Sequence, residues 1–135
     1  MATYYARKAG NINAADVWST TPSGTAAAVT FANGDVLVAN SFAITVNVST
    51  DLGGSGQLRN DTTGGATAGG SFTLSDGVTL TASIYSSTTL TCVLFTAATP
   101  AVAYIAANEI RGNGIGANQA SGVSNSETGT LNITV

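Results

Sequence analysis

Carboxylates are the side chains of this sequence with the best claim to chemistry. There are seven: Asp16, Asp35, Asp51, Asp61, Asp76, Glu109 and Glu127. Glycoside hydrolysis needs two carboxyl groups about 5–9.5 Å apart, one of them held protonated. Asp61 beside Arg59, or Asp76 brought to Glu109, would be the pairs to consider. Their sequence settings argue for a different job. Asp35, Asp51, Asp61 and Asp76 all adjoin Gly, Asn or Thr in turn-forming stretches, where a short carboxylate bonds its own backbone. The acids also do not match the spacing of a calcium-binding loop.

The remaining chemistry is thinner still. The chain has no His, which removes the usual neutral-pH base and the triads built on it. The single Cys92 lies in "TLTCVLF" and reads as a buried small hydrophobe, not a reactive thiol. One Cys builds neither an intrachain disulfide nor a thiolate zinc site. Lys8 is the only Lys, precedes the expected core, and is a poor candidate for Schiff-base chemistry. No phosphate-binding "GxxxxGK[ST]" occurs. Three Asn-x-Ser/Thr triplets begin at Asn47, Asn60 and Asn132 and carry little weight in so Asn- and Thr-rich a chain. The expectation is a non-enzyme that uses no metal and no cofactor.

Composition narrows the partners. Only 8% of the 135 residues are charged and the net charge is −3, with a pI near 4.3. The four cations are too few to track a phosphate backbone, so no nucleic acid is expected. The longest apolar run, Ala101–Ala107, is far short of a membrane span, and no secretory leader is evident. The 44% hydrophobic fraction with low net charge implies an ordered fold. Its uncharged polar surface offers little repulsion between copies.

The elements that must position these residues are strands. "SFAITVNVS" (41–49) alternates, with Phe42, Ile44, Val46 and Val48 on one face. "GVTLTASIY" (77–85) does the same with Val78, Leu80, Ala82 and Ile84. Further strands are predicted at 35–39, 70–75, 88–95, 101–107 and 129–135 from their Thr, Val and Ile content. Turn signals separate them at Asn33-Gly34, Asp76-Gly77 and Asn113-Gly114. Gly-rich connectors lie at 51–57 and 62–70. Helix signals are weak. The fold class expected is all-β: a short parallel β-helix, or β-solenoid, with an extended N-terminal arm. An antiparallel β-sandwich is the alternative. Residues 1–30 would form the arm and cap, and residues 31–135 the body.

The phrases "YYARKAGNINAADVWSTTPSG", "GDVLVANSFAITVNVS", "QLRNDTTGGATAGGSFTLSDGVTLT" and "SGVSNSETGTLNIT" resemble tailed-phage virion proteins. The resemblance is to capsid decoration (cement) proteins or short fibre-like proteins with β-helical bodies. It implies a structural role on the capsid surface, a homotrimer, and the major capsid protein as partner. A short fibre or adhesin touching a host glycan is the alternative it leaves open, and a small polysaccharide-degrading enzyme ranks last. On this reading "MATYYARKAGN" is a docking arm. Tyr4 and Tyr5 would supply amphipathic contact area, and Arg7 and Lys8 would meet acidic groups on a neighbour. Trp18 would plug the end of the β core or anchor the same interface.

Overall fold

The computed structural model describes residues 1–87, 90–112, 123–125 and 127–135. The chain begins with β1 (Thr3–Ala6), β2 (Gly10–Asn11) and β3 (Trp18–Ser19). It continues through β4 (Val36–Val38), β5 (Ala43–Val46) and β6 (Thr50–Asp51), then β7 (Gln57–Arg59), β8 (Ser71–Leu74) and β9 (Thr79–Thr81). The last strands are β10 (Ser83–Ser86), β11 (Val93–Phe95), β12 (Val102–Ala106), β13 (Ile110–Gly112), β14 (Val123–Asn125) and β15 (Thr130–Thr134). A 3₁₀ turn at Thr63–Gly65 is the one helical element among the described residues. The fold is therefore all-β.

Three sheets result. Sheet A has the order β13-β10-β7-β4-β1-β3, sheet B β14-β11-β8-β5-β2, and sheet C β15-β12-β9-β6. From β4 onward the chain visits A, B and C in that order on every pass. Neighbours pair in parallel, apart from β1 with β3, which is antiparallel and makes sheet A mixed.

Parallel register stacks like positions in columns. In sheet A, Leu37, Leu58, Ile84 and Ile110 are successive partners. In sheet B the column is Ile44, Phe72, Val93 and Val123. In sheet C it is Leu80, Ile105 and Ile133. Leu37, Leu58, Ile84, Phe72, Val93 and Leu80 have no accessible surface, and one contiguous core contains them. The period-two patterns found their inward faces here: Val78, Leu80, Ala82 and Ile84 are all buried, as are Ile44 and Val46.

Several sequence expectations need correction. The stretch 77–85 is two strands, β9 in sheet C and β10 in sheet A. The chain bends at buried Ala82, whose N–H reaches Ala106 O at 3.0 Å on the neighbouring pass. The turn expected at Asp76-Gly77 is present, as a corner between β8 and β9, which lie in different sheets; Gly77 has φ +79°. Val48 is 40% exposed, because β5 ends at Val46 and the inward alternation ends with it. The Gly-rich segment 62–70 is a connector, as expected, and it packs closely against the preceding pass. At Gly70 (φ +80°) a Cβ would collide with the Phe42 carbonyl, so only Gly admits this approach of two chain passes. Asn113-Gly114 lies outside the described residues.

The start of the segment expected as an extended N-terminal arm is paired with the body. Residues 3–6 form β1, in parallel register with β4 and antiparallel with β3. The Val36 amide donates to Ala2 O at 2.8 Å, and Asp35 Oδ1 accepts from the Ala2 amide at 2.7 Å. Without β1 the edge of β4 and the tops of the core columns would face water, so the segment folds down.

Candidate interaction surface

The residues expected to bind a partner divide between core and surface. Trp18 is fully enclosed. Its Nε1–H donates to Ile12 O at 2.7 Å, and its ring meets Phe31 edge-on at 5.7 Å. It closes the end of the core. Tyr5 is 7% exposed and packs with Val36, Val38 and Ala66. Tyr4 is half-buried and packs edge-on against Phe31 at 5.6 Å. Lys8 is exposed and pairs with Asp16, which holds the Asp16 carboxyl below its usual range.

Arg7 is half-buried. Its Nε–H donates to Gly24 O at 2.8 Å, and an Nη–H donates to Pro22 O. The guanidinium thus ties residues 22–24 to the sheet through carbonyls. It lines a polar cleft of about 420 Å³ with Ser23, Ser41, Phe42 and Thr67. Tyr4, Tyr5, Arg7, Lys8 and Trp18 therefore do not form one exposed patch; two of the five are core.

A second cluster escaped the sequence reading. On the outward face of sheet A, Arg59, Tyr85 and Arg111 are successive register partners. Their guanidinium carbons sit 4.8 Å and 4.6 Å from the Tyr85 ring centroid, a distance at which a cation is attracted to an aromatic face. Tyr85 O–H donates to Glu109 at 2.8 Å. That bond raises the phenol above its ordinary value, burial adds to the rise, and the two cations oppose it. Arg59 also donates to Asp61 Oδ2 from Nη2 at 2.5 Å and to Gln57 Oε1 at 2.7 Å. Burial alone would raise the Asp61 carboxyl. The hydrogen bonds from Arg59 and Thr63 outweigh it and hold Asp61 at about 2. The only signal for this cluster was the recurrence of a bulky polar residue on successive passes, visible once the register is known.

Three further acids serve the backbone. Asp35 accepts from the Ala2 and Ala32 amides at 2.7 and 2.8 Å, Asp51 from Gly53 at 2.8 Å, and Asp76 from Val102 at 2.8 Å. The imagined pair of Asp76 and Glu109 is thus engaged with separate partners. Cys92 is wholly buried, and burial pushes its thiol up, away from thiolate reactivity. Among the described residues, no group of three or more His, Cys, Asp or Glu side chains converges to hold a metal. No helix among them is long and apolar enough to cross a membrane. No family model, curated protein or solved structure matches the chain.

Proposed function

We propose that the chain is a β-solenoid serving as a structural protein of a phage virion surface, bound to the major capsid protein lattice as a decoration or cement protein. The observation that carries the structural half of this reading is the use of the acids. Asp35, Asp51 and Asp76 brace backbone turns, and Asp61 is spent on Arg59 and Thr63. A body in which four of its seven acids go to internal bracing is suited to being a rigid part. The repeated A–B–C order and the parallel register columns support the solenoid. The sequence resemblance supports the virion setting.

On this reading the binding faces are exposed surfaces rich in hot-spot residue types. The Arg59–Tyr85–Arg111 column and the exposed Lys8 supply them, with charge setting orientation and apolar contact setting affinity. The trimer implied by the resemblance would place three such faces around one axis.

The test is reconstitution. Purified protein is added to phage capsids stripped of minor proteins, and the bound copies are counted by quantitative gel. Hundreds of copies per particle, with a raised temperature of genome release, support a cement role. Binding in tens or fewer supports the fibre reading. No binding to any capsid offered, with release of reducing sugar from a glycan panel, would sink the structural role.

A further inference from the structure

The ends of the three sheets are guarded unequally. A sheet edge is a template for pairing with another chain unless it is short, charged, covered or interrupted by Pro. At the N-terminal end the edge strands β3, β2 and β6 are two residues each. At the other end of sheet A, β13 has three residues and carries exposed Arg111. β15 is different. It is five residues long, Thr-Leu-Asn-Ile-Thr, with no charge and no Pro. It ends sheet C, and no described strand pairs with its outer edge.

Backbone polarity shows which groups face that edge. The Thr130 amide donates to Ala101 O at 3.0 Å, and Thr134 O accepts from the Ala107 amide at 2.9 Å. Alternation then points the N–H and C=O of Leu131 and Ile133 away from β12. The same two side chains lie on the inward face, in register with buried Ala103 and Ile105. Yet Ile133 is 46% exposed, on the outermost described strand of sheet C.

The strand is also a chemical palindrome. Turned about a two-fold axis through Asn132, Thr130 meets Thr134, Leu131 meets Ile133, and Asn132 meets itself. Leu131 and Ile133 are the residues with outward backbone groups, so each opposed pair exchanges both of its N–H···O bonds. Their side chains meet on the inward face and cover the exposed end of the core column. Like pairs of this kind, Thr with Thr and aliphatic with aliphatic, are favourable cross-strand neighbours.

We infer that β15 pairs antiparallel with β15 of a second copy of this chain, about a two-fold axis at Asn132, joining sheet C of the two copies into one sheet. The contact is isologous and closes on itself. It is independent of the virion reading and of any trimer formed through other faces, so the assembly has an even number of chains.

The experiment is solution mass by sedimentation across a range of concentrations, with two variants. Asn132 is exposed, so changing it spares the core. N132K sets two ammonium groups opposite each other and is expected to shift the dissociation midpoint at least tenfold upward. N132C places thiols on a non-hydrogen-bonded antiparallel pair, where Cα atoms lie about 4.5 Å apart, within disulfide reach. It is expected to oxidise to a covalent pair at dilution, while T79C, at exposed Thr79 on the same sheet, stays uncoupled. A mass of two or six chains, lowered by N132K, with selective cross-linking of N132C, is the expected result. A mass of one or three chains, an even mass indifferent to N132K, or failure of N132C to cross-link overturns it.

Discussion

Asn40 and Asn60 do the same work on successive passes of the chain. Each is buried at the turn from sheet A to sheet B, and each Oδ1 accepts a backbone N–H from a residue 27 positions later: Thr67 at 2.8 Å and Ser87 at 2.7 Å. Each Nδ2 donates to two carbonyls, Ala6 and Pro22 for Asn40, Gly70 and Thr91 for Asn60. A side-chain amide thus replaces the ladder bonds that the backbone loses at the corner.

Replacing Asn60 with Ala is expected to lower unfolding free energy by about 2–3 kcal/mol, since it strands three backbone partners in a dry site. Chemical denaturation of the variant against wild type measures this. A loss under about 0.5 kcal/mol would mean that water substitutes freely at the corner.

Ser41, next to Asn40, has φ +71°, a conformation costly for a residue with a Cβ. Ser41→Gly is therefore expected to be neutral or stabilising by up to about 1 kcal/mol. Thermal melting checks it, and marked destabilisation would show that the Ser41 side chain has a structural partner.

Asp61 makes stability depend on acid. Its folded value of about 2 lies below the ordinary 3.8, so its contribution is complete above about pH 4 and is lost as pH falls toward 2. The size is on the order of 2 kcal/mol. Comparing urea midpoints at pH 5 and pH 2.5 should show a steeper acid loss in wild type than in Asp61→Asn. Parallel losses in the two proteins would remove Asp61 as the cause.

Deleting residues 1–11 is expected to destabilise the whole domain, because β1 covers the edge of β4. Circular dichroism melting of the truncated chain tests this. An unchanged melting temperature would restore the free-arm reading.

Leu80→Ala is expected to cost about 2–5 kcal/mol, the usual range for a fully buried leucine whose cavity cannot collapse. The denaturation midpoint reads it directly. A smaller loss would mark the centre of sheet C as loosely packed.

The inward face was legible where side chains alternated, as at Ile44–Val46 and Val78–Ile84, although the second stretch is split between two strands. It was not legible for β2, β3 or β6, each two residues long, because two residues carry no period. β7 was missed for a related reason: "QLR" has a single apolar residue, and Leu58 is inward only because Leu37 and Ile84 flank it in register. The candidate surface was legible in part. Trp18, read as a core plug or an interface anchor, is enclosed, and Tyr5 is buried; Arg7 and Lys8, expected to meet acidic groups on a neighbour, bond within the chain.

By itself the sequence determined the all-strand character, the corners at Gly and Asn, and the poverty of acid–base chemistry. These follow from local rules: side-chain alternation, tolerance of positive φ, and an inventory of titratable groups. Only tertiary structure decided which residues share a column. Arg59, Tyr85 and Arg111 lie 26 positions apart in the chain, and nothing local distinguishes that spacing from any other. Register is a global solution, set by burying every inward face at once. It brings Tyr85 between two guanidinium groups and places Thr130–Thr134 at the end of sheet C among the described strands.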